Sequence, residues 1–589
     1  MKKLLTFFAT VFASSALTVQ AAGWPDNYSG VMLQAFYWDS YNDTQWTNLT
    51  SKADVLSKYY NLVWVPQSGY CNSLTNQMGY ADIWWFDQKS AFGTASELKN
   101  MISTFKSKGI GTIADVVINH KNGNTNWCDF PTETWAGHGT MTWSLADICN
   151  NDDNGKTKAA GYNVTGANDT GIDFNGCRDL DHTSANVQKN VKLYLHFLLE
   201  EMGYSGFRYD MTGGYNPKYT KLYNEDAKPT YSVGEYWMSD GLAGLQKWIN
   251  NTGKTSAAFD FQLKWLINSA FNNDSWNLLK SYTTQSLIGS GYSQYAVTFT
   301  DNHDTNRDGS QMLKKNIEAA NAYILTMPGT PCVFLSHWKS YKKPIEKMIL
   351  ARKIAGVTNT SPVVSSTGET NGYSVVVKGT KGNILLCLGT TTANTTGYQL
   401  AVEGENYKMY VSNGLDITSI KDVDKQADDA VTLPSCAKPV TDAKYYAYFE
   451  KPSNWPSTIN VWAWDGSVNV YSTWPGSSAD VTVAGKNEKN GNTVYLWKYN
   501  GSKTVSKIIF NGGSDANKTA DFEFKNGNYY TISGLYGNVN SSTTGIERVS
   551  TQSQTEPSKV WYTISGIRLN GEPTQRGIYI HNGKKLVIR

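Results

Sequence analysis

The sequence predicts an α/β protein whose largest part, residues 22–345, is a (β/α)8 TIM barrel. Between about Val31 and Phe334, short apolar runs alternate with amphipathic helical stretches. Continuous apolar runs of this kind are typical of parallel strands that are buried on both faces. Roughly 300 residues of such units suit a closed barrel. A doubly wound open sheet is the alternative, but no G-x-G-x-x-G motif supports it.

Seven apolar runs in this region are candidate strands, and three longer stretches are candidate helices. The strands are 31–38, 61–66, 111–118, 205–210, 230–237, 295–300 and 331–335. The helices are 96–109, 187–203 and 314–327. One connection is unusually long, because about 65 residues rich in Asn, Asp, Gly and Trp separate Ile118 from Ser184. Loops of this length are usually functional, so we interpret residues 121–183 as a loop-rich excursion domain over the barrel mouth.

After the barrel the pattern changes to short β-rich segments. Residues 346–436 are predicted to form an antiparallel β-domain, and residues 445–533 a second all-β module. Residues 534–558 are rich in Ser, Thr, Gln and Asn, which is typical of a flexible linker. Residues 559–589 are predicted to form a short β-rich tail, since SG and NG turns interrupt its apolar runs.

The first 21 residues have the pattern of a secretory signal peptide. Lys2 and Lys3 precede an apolar stretch from Leu4 to Val19, and small residues follow near Ala21. No later run is long and apolar enough to span a bilayer. We therefore expect a secreted protein without a transmembrane segment, in an extracellular, cell-surface or periplasmic location.

Composition limits the class of ligand. The formal charge is +3 without a basic cluster, which argues against nucleic acid as a partner. The 20 Trp and 36 Tyr residues would suit stacking against sugar rings, although aromatic cores explain them equally well.

The seven cysteines leave at least one unpaired, and Cys128, Cys149 and Cys177 could supply one bridge. No CxxC pair supports a zinc site.

Polar residues follow several of the candidate strands. They are Asp115, Asn119, His120, Arg208, Asp210, Glu235, Asp301, Asn302, His303 and Asp304. The carboxyl ends of barrel strands converge on one site, so these side chains are expected to meet. A pocket with several carboxyl groups suits glycoside hydrolysis, which needs a carboxylate and a protonated acid. Structural ion pairs at the starts of loops are the alternative for any one of these residues.

Two of these positions have a physical reason for their roles. Arg208 lies two residues before Asp210, so strand alternation places both on one face, where the guanidinium would keep Asp210 ionised. Glu235 is followed by Tyr236 and Trp237, and partial desolvation there would raise its pKa toward the pH of action.

Four segments resemble the motifs of the α-amylase family of glycoside hydrolases (family 13). They are DVVINH (115–120), GFRYD (206–210), GEYW (234–237) and FTDNHD (299–304). The resemblance covers about residues 25–435, and NDTGIDF and DLDH are most similar to plant and related bacterial α-amylases. It implies that Asp210 is the nucleophile, Glu235 the general acid/base and Asp304 the stabiliser of the transition state.

The same resemblance implies further contacts with the sugar and a bound metal. Tyr80, His120 and His303 would contact one sugar ring, and Arg208 would orient the nucleophile. Ca²⁺ is the implied cofactor, with Asp173 as a candidate for a second ion. Its implied ligands are the side chains of Asn119, Asp169 and Asp179 and the carbonyl groups of Ile172 and Gly214. An Asn/Asp-rich loop that is merely solvated is the alternative.

Some positions depart from the family pattern. Thr212, Gly213 and Gly214 stand where the family commonly has a Lys before the Gly, so a cationic contact on the leaving-group side is expected to be missing. Arg178 and Ala81 replace positions where Pro is common. These changes are expected to alter subsite binding and leave the catalytic carboxyl groups intact.

The module at 445–533 resembles starch-binding carbohydrate-binding modules of the β-sandwich type. The resemblance lies in YAYFEKPSNW, INVWAWDG, TWPG and KIIFNGG. Trp462 and Trp464 share one strand face by alternation, and with Trp474 they could stack on an α-glucan. Any one of these rings could instead belong to the core. The tail from about Val560 resembles C-terminal segments of exported Bacteroidota proteins.

Together these features predict an endo-acting, retaining α-amylase acting on α-1,4 bonds of starch, glycogen and maltooligosaccharides. A transglycosylase on the same fold is one alternative, because the four motifs do not separate hydrolysis from transfer. A non-catalytic surface starch-binding protein is another, although intact Asp210, Glu235 and Asp304 argue against it. A monomer is the favoured oligomeric state.

Overall fold

The computed structural model describes residues 23–426 and 433–540, apart from positions 454, 489, 516 and 533, together with short pieces of the tail. The predicted signal peptide (1–21) and residues 541–558 of the predicted linker lie outside the described residues. The chain divides into two compact units, Met1–Ser541 and Ser542–Arg589.

Eight parallel strands close into a barrel, which confirms the predicted fold and excludes the open sheet. In chain order they are Met32–Gln34, Leu62–Trp64, Gly111–Val116, Gly206–Tyr209, Tyr231–Gly234, Ala257–Phe259, Ala296–Phe299 and Thr330–Phe334. The first strand pairs with both the second and the eighth, which completes the ring. The sixth strand, Ala257–Phe259, was not among the seven candidate strands.

Helices surround the barrel and bury one face against it. They are Trp46–Ser51, Ala53–Tyr59, Ala95–Ser107, Ala185–His196, Pro217–Ala227, Gly241–Asn251, Phe261–Phe271, Tyr282–Gln285, Ile317–Thr326, Leu335–Ser340 and Lys342–Ala355. The helix Ala95–Ser107 begins with a capping box between Thr94 and Glu97, which satisfies its first backbone N–H groups. Its buried Leu98, Met101 and Phe105 follow the helical period.

The excursion after the third strand is tied to the barrel at both of its ends. The short strands His120–Lys121 and Arg178–Asp179 pair in antiparallel fashion, with His120 opposite Asp179. A second small hairpin pairs Glu133–Trp135 with Gly139–Met141, and a short helix spans Lys156–Ala159. The start and the return of the excursion therefore lie side by side at the barrel mouth.

A five-stranded antiparallel sheet follows the barrel. Its spatial order is Val363–Glu369, Gly372–Lys378, Asn383–Gly389, Tyr407–Ser412 and Tyr398–Gly404. The helix Thr418–Asp424 follows in the chain and packs on Lys342–Ala355. The predicted boundary at 345/346 falls inside the helix Lys342–Ala355, which continues because Ile345, Met348 and Ile349 are all buried on one side of it. The β-domain therefore begins only after this helix.

The next module is a sandwich of two sheets. One sheet has the order Val481–Lys486, Thr493–Tyr499, Tyr445–Glu450, Asn528–Thr531 and Gly534–Asn538. The other has the order Val468–Asn469, Asn460–Asp465, Lys507–Asn511 and Phe522–Glu523. Phe449 and Phe510 stack between the sheets with ring centroids 4.6 Å apart. The start predicted for the linker, residue 534, belongs instead to the edge strand Gly534–Asn538, because this segment pairs with Asn528–Thr531.

The second compact unit contains a four-stranded antiparallel sheet. Its order is Arg568–Leu569, Trp561–Thr563, Gly577–His581 and Lys584–Ile588.

Over the whole described part of the chain, none of the helices has the length and apolar character that a membrane crossing requires. Cys149 and Cys177 are buried thiols that are not joined to each other, so a bridge between these two is absent.

Candidate active site

The predicted catalytic carboxyl groups all lie at the carboxyl ends of barrel strands. Asp210 directly follows the fourth strand, and Glu235 directly follows the fifth. Asp304 lies five residues after the end of the seventh strand, Phe299. Asp210 and Glu235 are buried, and the Asp304 side chain keeps 21% of its surface exposed. The barrel therefore brings the three groups to the same mouth.

One guanidinium group connects the carboxyl groups at this mouth. Arg208 Nη1 lies 2.8 Å from Asp115 Oδ1 and 2.6 Å from Asp210 Oδ1, and Arg208 Nη2 lies 2.8 Å from Glu235 Oε2. Arg208 is itself almost fully buried. Because a guanidinium is small and planar, Asp210 and Glu235 must lie within a few ångströms of each other around it. Asp115 is a third carboxyl partner that the sequence did not assign to this pair.

Glu235 is held in an environment that favours its protonated form. Burial raises its pKa to about 8, and the negative charges of Asp210 and Asp304 act in the same direction. The Arg208 charge and a 3.0 Å hydrogen bond from the Met211 backbone N–H oppose this shift without cancelling it. Glu235 can therefore carry a proton near neutral pH, as a general acid must.

Met211 adopts a left-handed backbone conformation to make that contact. Its φ is 44°, which costs a non-glycine residue about 1–2 kcal/mol. The turn directs the Met211 N–H to the Glu235 carboxyl group, while the Thr212 N–H donates to the Glu235 carbonyl at 3.1 Å. The residues after Asp210 thus fix the position of Glu235.

Asp304 is surrounded by positive and neutral donors. Burial alone would raise its pKa, but the adjacent His303 and the positive charges of Arg307 and Arg208 outweigh burial and lower it. Arg307 Nη2 lies 2.7 Å from Asp304 Oδ1, and the Arg307 guanidinium stacks on Trp38, 3.4 Å from the ring centroid. Asp304 therefore stays ionised under conditions in which Glu235 is protonated.

An aromatic wall lies beside these carboxyl groups. The Tyr80 ring is nearly parallel to Trp38 and to His303, with centroids 5.9 and 5.2 Å away. Tyr80 Oη donates to Asp115 Oδ2 at 2.8 Å, and His120 Nε2 lies 2.9 Å from the Tyr80 carbonyl oxygen. Burial lowers the pKa of both His120 and His303, so both rings are neutral near pH 7.

The sequence missed some residues of this site and over-interpreted another. Trp38, Arg307 and Gln34, whose Nε2 lies 3.0 Å from His303 Nδ1, were not singled out. Trp38 follows the first strand, Met32–Gln34, by four residues, and this position at the barrel mouth was the available signal. Asp301 forms a fully buried ion pair with Lys264 at 2.7 Å, so for Asp301 the structural alternative applies.

The residues predicted to bind calcium meet where the excursion joins the barrel. Asn119 Nδ2 donates to Asp179 Oδ1 at 3.1 Å, while Asn119 Oδ1 and Asp169 Oδ2 are buried without hydrogen-bond partners. A Cβ on Gly214 would lie 2.0 Å from Asn119 Oδ1, so only glycine fits there. The Ile172 N–H donates to the Gly213 carbonyl at 3.1 Å, which brings the excursion loop alongside Gly214.

Next to them lies an acidic cluster that the sequence identified only in part. Oxygen atoms of Asp152, Asp173 and Asp179 lie within 4.8 Å of one another. Burial raises the pKa of Asp179 to about 9, and the nearby charges of Asp169 and Asp152 add to this effect. Asp152, within the segment NDDNG, was not predicted as a ligand. Orphaned amide and carboxylate oxygens beside an acidic cluster fit a hard, oxygen-preferring cation.

Two departures from the family pattern have a structural explanation. Thr212 is fully buried, and Gly213 packs against Met238, whose sulfur would lie 2.5 Å from an added Cβ, so the Met238 side chain occupies the space beside this turn. Arg178 is buried with its guanidinium 3.3 Å from the centroid of Trp127, and it donates to the Trp127 carbonyl at 3.2 Å. Arg178 thus helps to hold the excursion together.

The three tryptophans of the sandwich module lie near one another but not in one plane. Trp462 and Trp464 project from the same face of Asn460–Asp465, whereas the intervening Ala463 is buried on the opposite face. Trp474 is 37% exposed and meets Trp462 edge-on, at 6.1 Å and 68°. Trp474 therefore borders the pair formed by Trp462 and Trp464.

A closed (β/α)8 barrel with two buried carboxyl groups on one arginine, one of them protonated near neutral pH, defines a glycoside hydrolase. Comparison with known proteins specifies the family. Residues 63–337 match the model of the α-amylase catalytic domain, and residues 447–524 match that of starch-binding module 26. The chain belongs to the α-amylase family, in agreement with the resemblance of its four motifs.

Individual relatives support the assignment. A probable alpha-amylase 2 of Arabidopsis thaliana is 31% identical over 401 residues, which span 64% of this chain and 93% of that protein. An alpha-amylase of Bacillus licheniformis is 25% identical, over 60% of this chain and 78% of its own length. The crystal structure of a three-domain cyclomaltodextrin glucanotransferase matches 66% of this chain with a TM-score of 0.50 and 17% identity, a likeness of fold alone. The protein is thus a starch-acting enzyme of this family.

Proposed function

We propose that the protein is a secreted, endo-acting, retaining α-amylase that hydrolyses internal α-1,4 bonds of starch, glycogen and maltooligosaccharides. The observation that carries this proposal is the shared contact of Asp210 and Glu235 with Arg208. A retaining hydrolase needs its nucleophile and its acid close together, about 5–5.5 Å apart. Two carboxyl groups that bind one guanidinium lie within a few ångströms of each other, which supports the retaining assignment.

The reaction then proceeds in two displacements. Asp210 attacks the anomeric carbon and forms a covalent glycosyl-enzyme, while Glu235 donates its proton to the departing glycosidic oxygen. Glu235, now ionised, takes a proton from water, and the resulting hydroxide displaces Asp210 at the same carbon. Arg208 holds Asp210 during both steps. Asp304, His120 and His303 bind hydroxyl groups of the sugar, and Tyr80 stacks on its ring.

We assign Ca²⁺ to the junction of the excursion and the barrel. Its side-chain ligands would be Asn119, Asp169 and Asp179, with carbonyl groups of Ile172 and Gly214. The two orphaned oxygens on Asn119 and Asp169 support this assignment, because buried acceptors without donors are costly unless a cation binds them. The bound ion would offset the mutual repulsion of the carboxylates and join the excursion to the barrel.

The starch-binding module would hold the enzyme on its polymeric substrate. We assign glucan contacts to Trp462, Trp464 and Trp474, whose partly exposed rings offer faces for sugar C–H groups. The apolar N-terminal segment preceded by Lys2 and Lys3 supports export of the chain.

Reducing-sugar release from soluble starch tests the catalytic roles. Asp210→Asn and Glu235→Gln are each expected to abolish release, by at least a thousandfold, while starch pull-down persists. Asp54→Asn serves as a comparison at an exposed aspartate on the helix Ala53–Tyr59, outside the reaction. Activity within about tenfold of wild type in either catalytic variant would refute the assigned roles.

Products distinguish the remaining alternatives. Endo-acting hydrolysis predicts a fall in starch viscosity that precedes most of the reducing-sugar release, and retention predicts α-anomeric products in early NMR spectra. Products longer than the maltooligosaccharide supplied would favour glycosyl transfer. No release by the wild-type enzyme with calcium present would favour a binding protein.

A further inference from the structure

A cavity of about 780 Å³ lies where the starch-binding module meets the rest of the first compact unit. Trp462, Trp464 and Ser506 line it from the module, Asn406 from the antiparallel β-domain, and Lys315 and Glu318 from the barrel. Its volume is in the range of about 300–1,000 Å³ that is typical of small-molecule sites. The paired tryptophans thus face the catalytic part of the chain as well as solvent.

Polar contacts fix the three walls of this cavity relative to one another. Lys507 of the module lies 3.1 Å from Glu405 of the β-domain and also pairs with Glu523 on the neighbouring strand. The Asp521 N–H donates to the Lys314 carbonyl at 3.3 Å, which joins the module to the barrel. The Asn406 side chain donates to Asn316 Oδ1 at 2.8 Å, which joins the β-domain to the barrel. The module is therefore docked rather than freely tethered.

The chemistry of the lining fits a neutral sugar chain. Pyranose rings offer apolar C–H faces to aromatic rings and a rim of hydroxyl groups to polar side chains. Trp462 and Trp464 supply the aromatic faces. Asn406, Ser506 and Glu318 offer hydrogen-bonding groups on the facing walls. Five acidic and three basic side chains line the cavity, so an anionic ligand would find no net attraction.

The cavity also adjoins the loop that carries a catalytic carboxyl group. Asp304 and Lys314 are ten residues apart, so their Cα atoms are at most about 35 Å apart. Between them Gly309 lies against the module, where an added Cβ would come within 2.8 Å of the Asp515 carbonyl oxygen. One loop thus extends from the reaction site to the cavity.

We infer that this cavity is a composite α-glucan site, completed by the barrel and the β-domain and not formed by the module alone. The choice of α-glucan rests on the proposed function; the composite nature of the site rests on the lining residues. Full affinity of the module for glucan requires the docked catalytic part.

Calorimetric titration of the full chain with maltoheptaose tests the inference. All variants are made in the Glu235→Gln protein, because this substitution prevents hydrolysis of the maltoheptaose. Two binding events per chain are expected for Glu235→Gln alone, one at the active site and one at the cavity. Adding Trp462→Ala with Trp464→Ala should remove one event. Adding Lys315→Ala with Asn406→Gly should weaken the same event at least fivefold, although both residues lie outside the module. Asn406 has φ 62°, which glycine adopts without strain, and both side chains are exposed.

The control is Val483→Ala, an exposed position (62%) on the other sheet of the module, which should leave both events unchanged. If the Lys315/Asn406 variant binds like this control, the module acts alone and the composite site is wrong. If the tryptophan variant keeps both events, the cavity binds no glucan. Failure of the proposed function would appear separately, as wild-type enzyme that binds maltoheptaose twice but releases no sugar.

Discussion

Arg208→Lys is the substitution that probes the site most directly. The wild-type guanidinium makes three buried contacts of 2.6–2.8 Å with Asp115, Asp210 and Glu235. A lysine ammonium lacks the planar fork that reaches three carboxyl groups in fixed directions, so we expect it to keep one of the three contacts. Hydrogen bonds to charged groups are worth about 1.5–3 kcal/mol each, so losing two removes about 3–6 kcal/mol. Since 1.36 kcal/mol is tenfold in rate, kcat/KM should fall about 160- to 25,000-fold.

The pH profile separates a positioning role from a merely structural one. Arg208 opposes the burial that raises the pKa of Glu235, so its loss from the pair should raise that pKa further. The alkaline limb of kcat/KM should therefore move to higher pH in Arg208→Lys. Arg307→Lys is the control, because Arg307 is 49% exposed, pairs with Asp304 and stacks on Trp38; it should cost less than tenfold.

The assay is kcat/KM on a chromogenic maltooligosaccharide between pH 5 and 10, with thermal melting to confirm that the variant is folded. This pH range extends about two units or more on either side of the pKa of Glu235, so it covers the whole alkaline limb. A folded Arg208→Lys enzyme within tenfold of wild type, with an unmoved alkaline limb, would refute the reasoning.

Two further predictions concern the proton and the cation. Because Glu235 must donate a proton and its pKa is about 8, kcat/KM should decline as pH rises through this value. An alkaline limb below about pH 6 in the kcat/KM profile would contradict this assignment. Chelation should lower the melting temperature, since a cation at 100 times its Kd stabilises the native state by about 2.7 kcal/mol. Asp169→Asn should blunt the chelator effect in calorimetry, and identical melts with and without chelator would count against the calcium site.

The sequence predicted the barrel because most strands lie within longer apolar runs, and it failed where a strand lies outside such a run. Ala257–Phe259 has only three residues, and two of them are alanine. Its identity as a strand comes from pairing with both neighbours, Tyr231–Gly234 and Ala296–Phe299. The domain boundary expected at 345/346 is also misplaced. The helix Lys342–Ala355 continues across it and buries Met348 and Ile349.

Within the site, the sequence identified residues that belong to the four motifs and missed residues that lie outside these motifs in the chain. Strand alternation was sufficient to place Arg208 beside Asp210. Nothing local indicated that Lys264 would neutralise Asp301, or that Arg307 would stack on Trp38, since these partners meet only in the closed barrel. The raised pKa expected for Glu235 agrees with the structure, although neighbouring carboxylates contribute to it in addition to burial.

The stretch from Asp210 to Gly214 ties two distant requirements of the enzyme together. Asp210 is the proposed nucleophile, and the Met211 N–H donates a hydrogen bond to Glu235. Gly214, at the other end, lies against Asn119 at the junction with the excursion. Displacement at one end of so short a peptide must shift the other. Disturbing the junction should therefore misalign the proton donor before the barrel melts, so that enzymatic inactivation and global denaturation become two separable events.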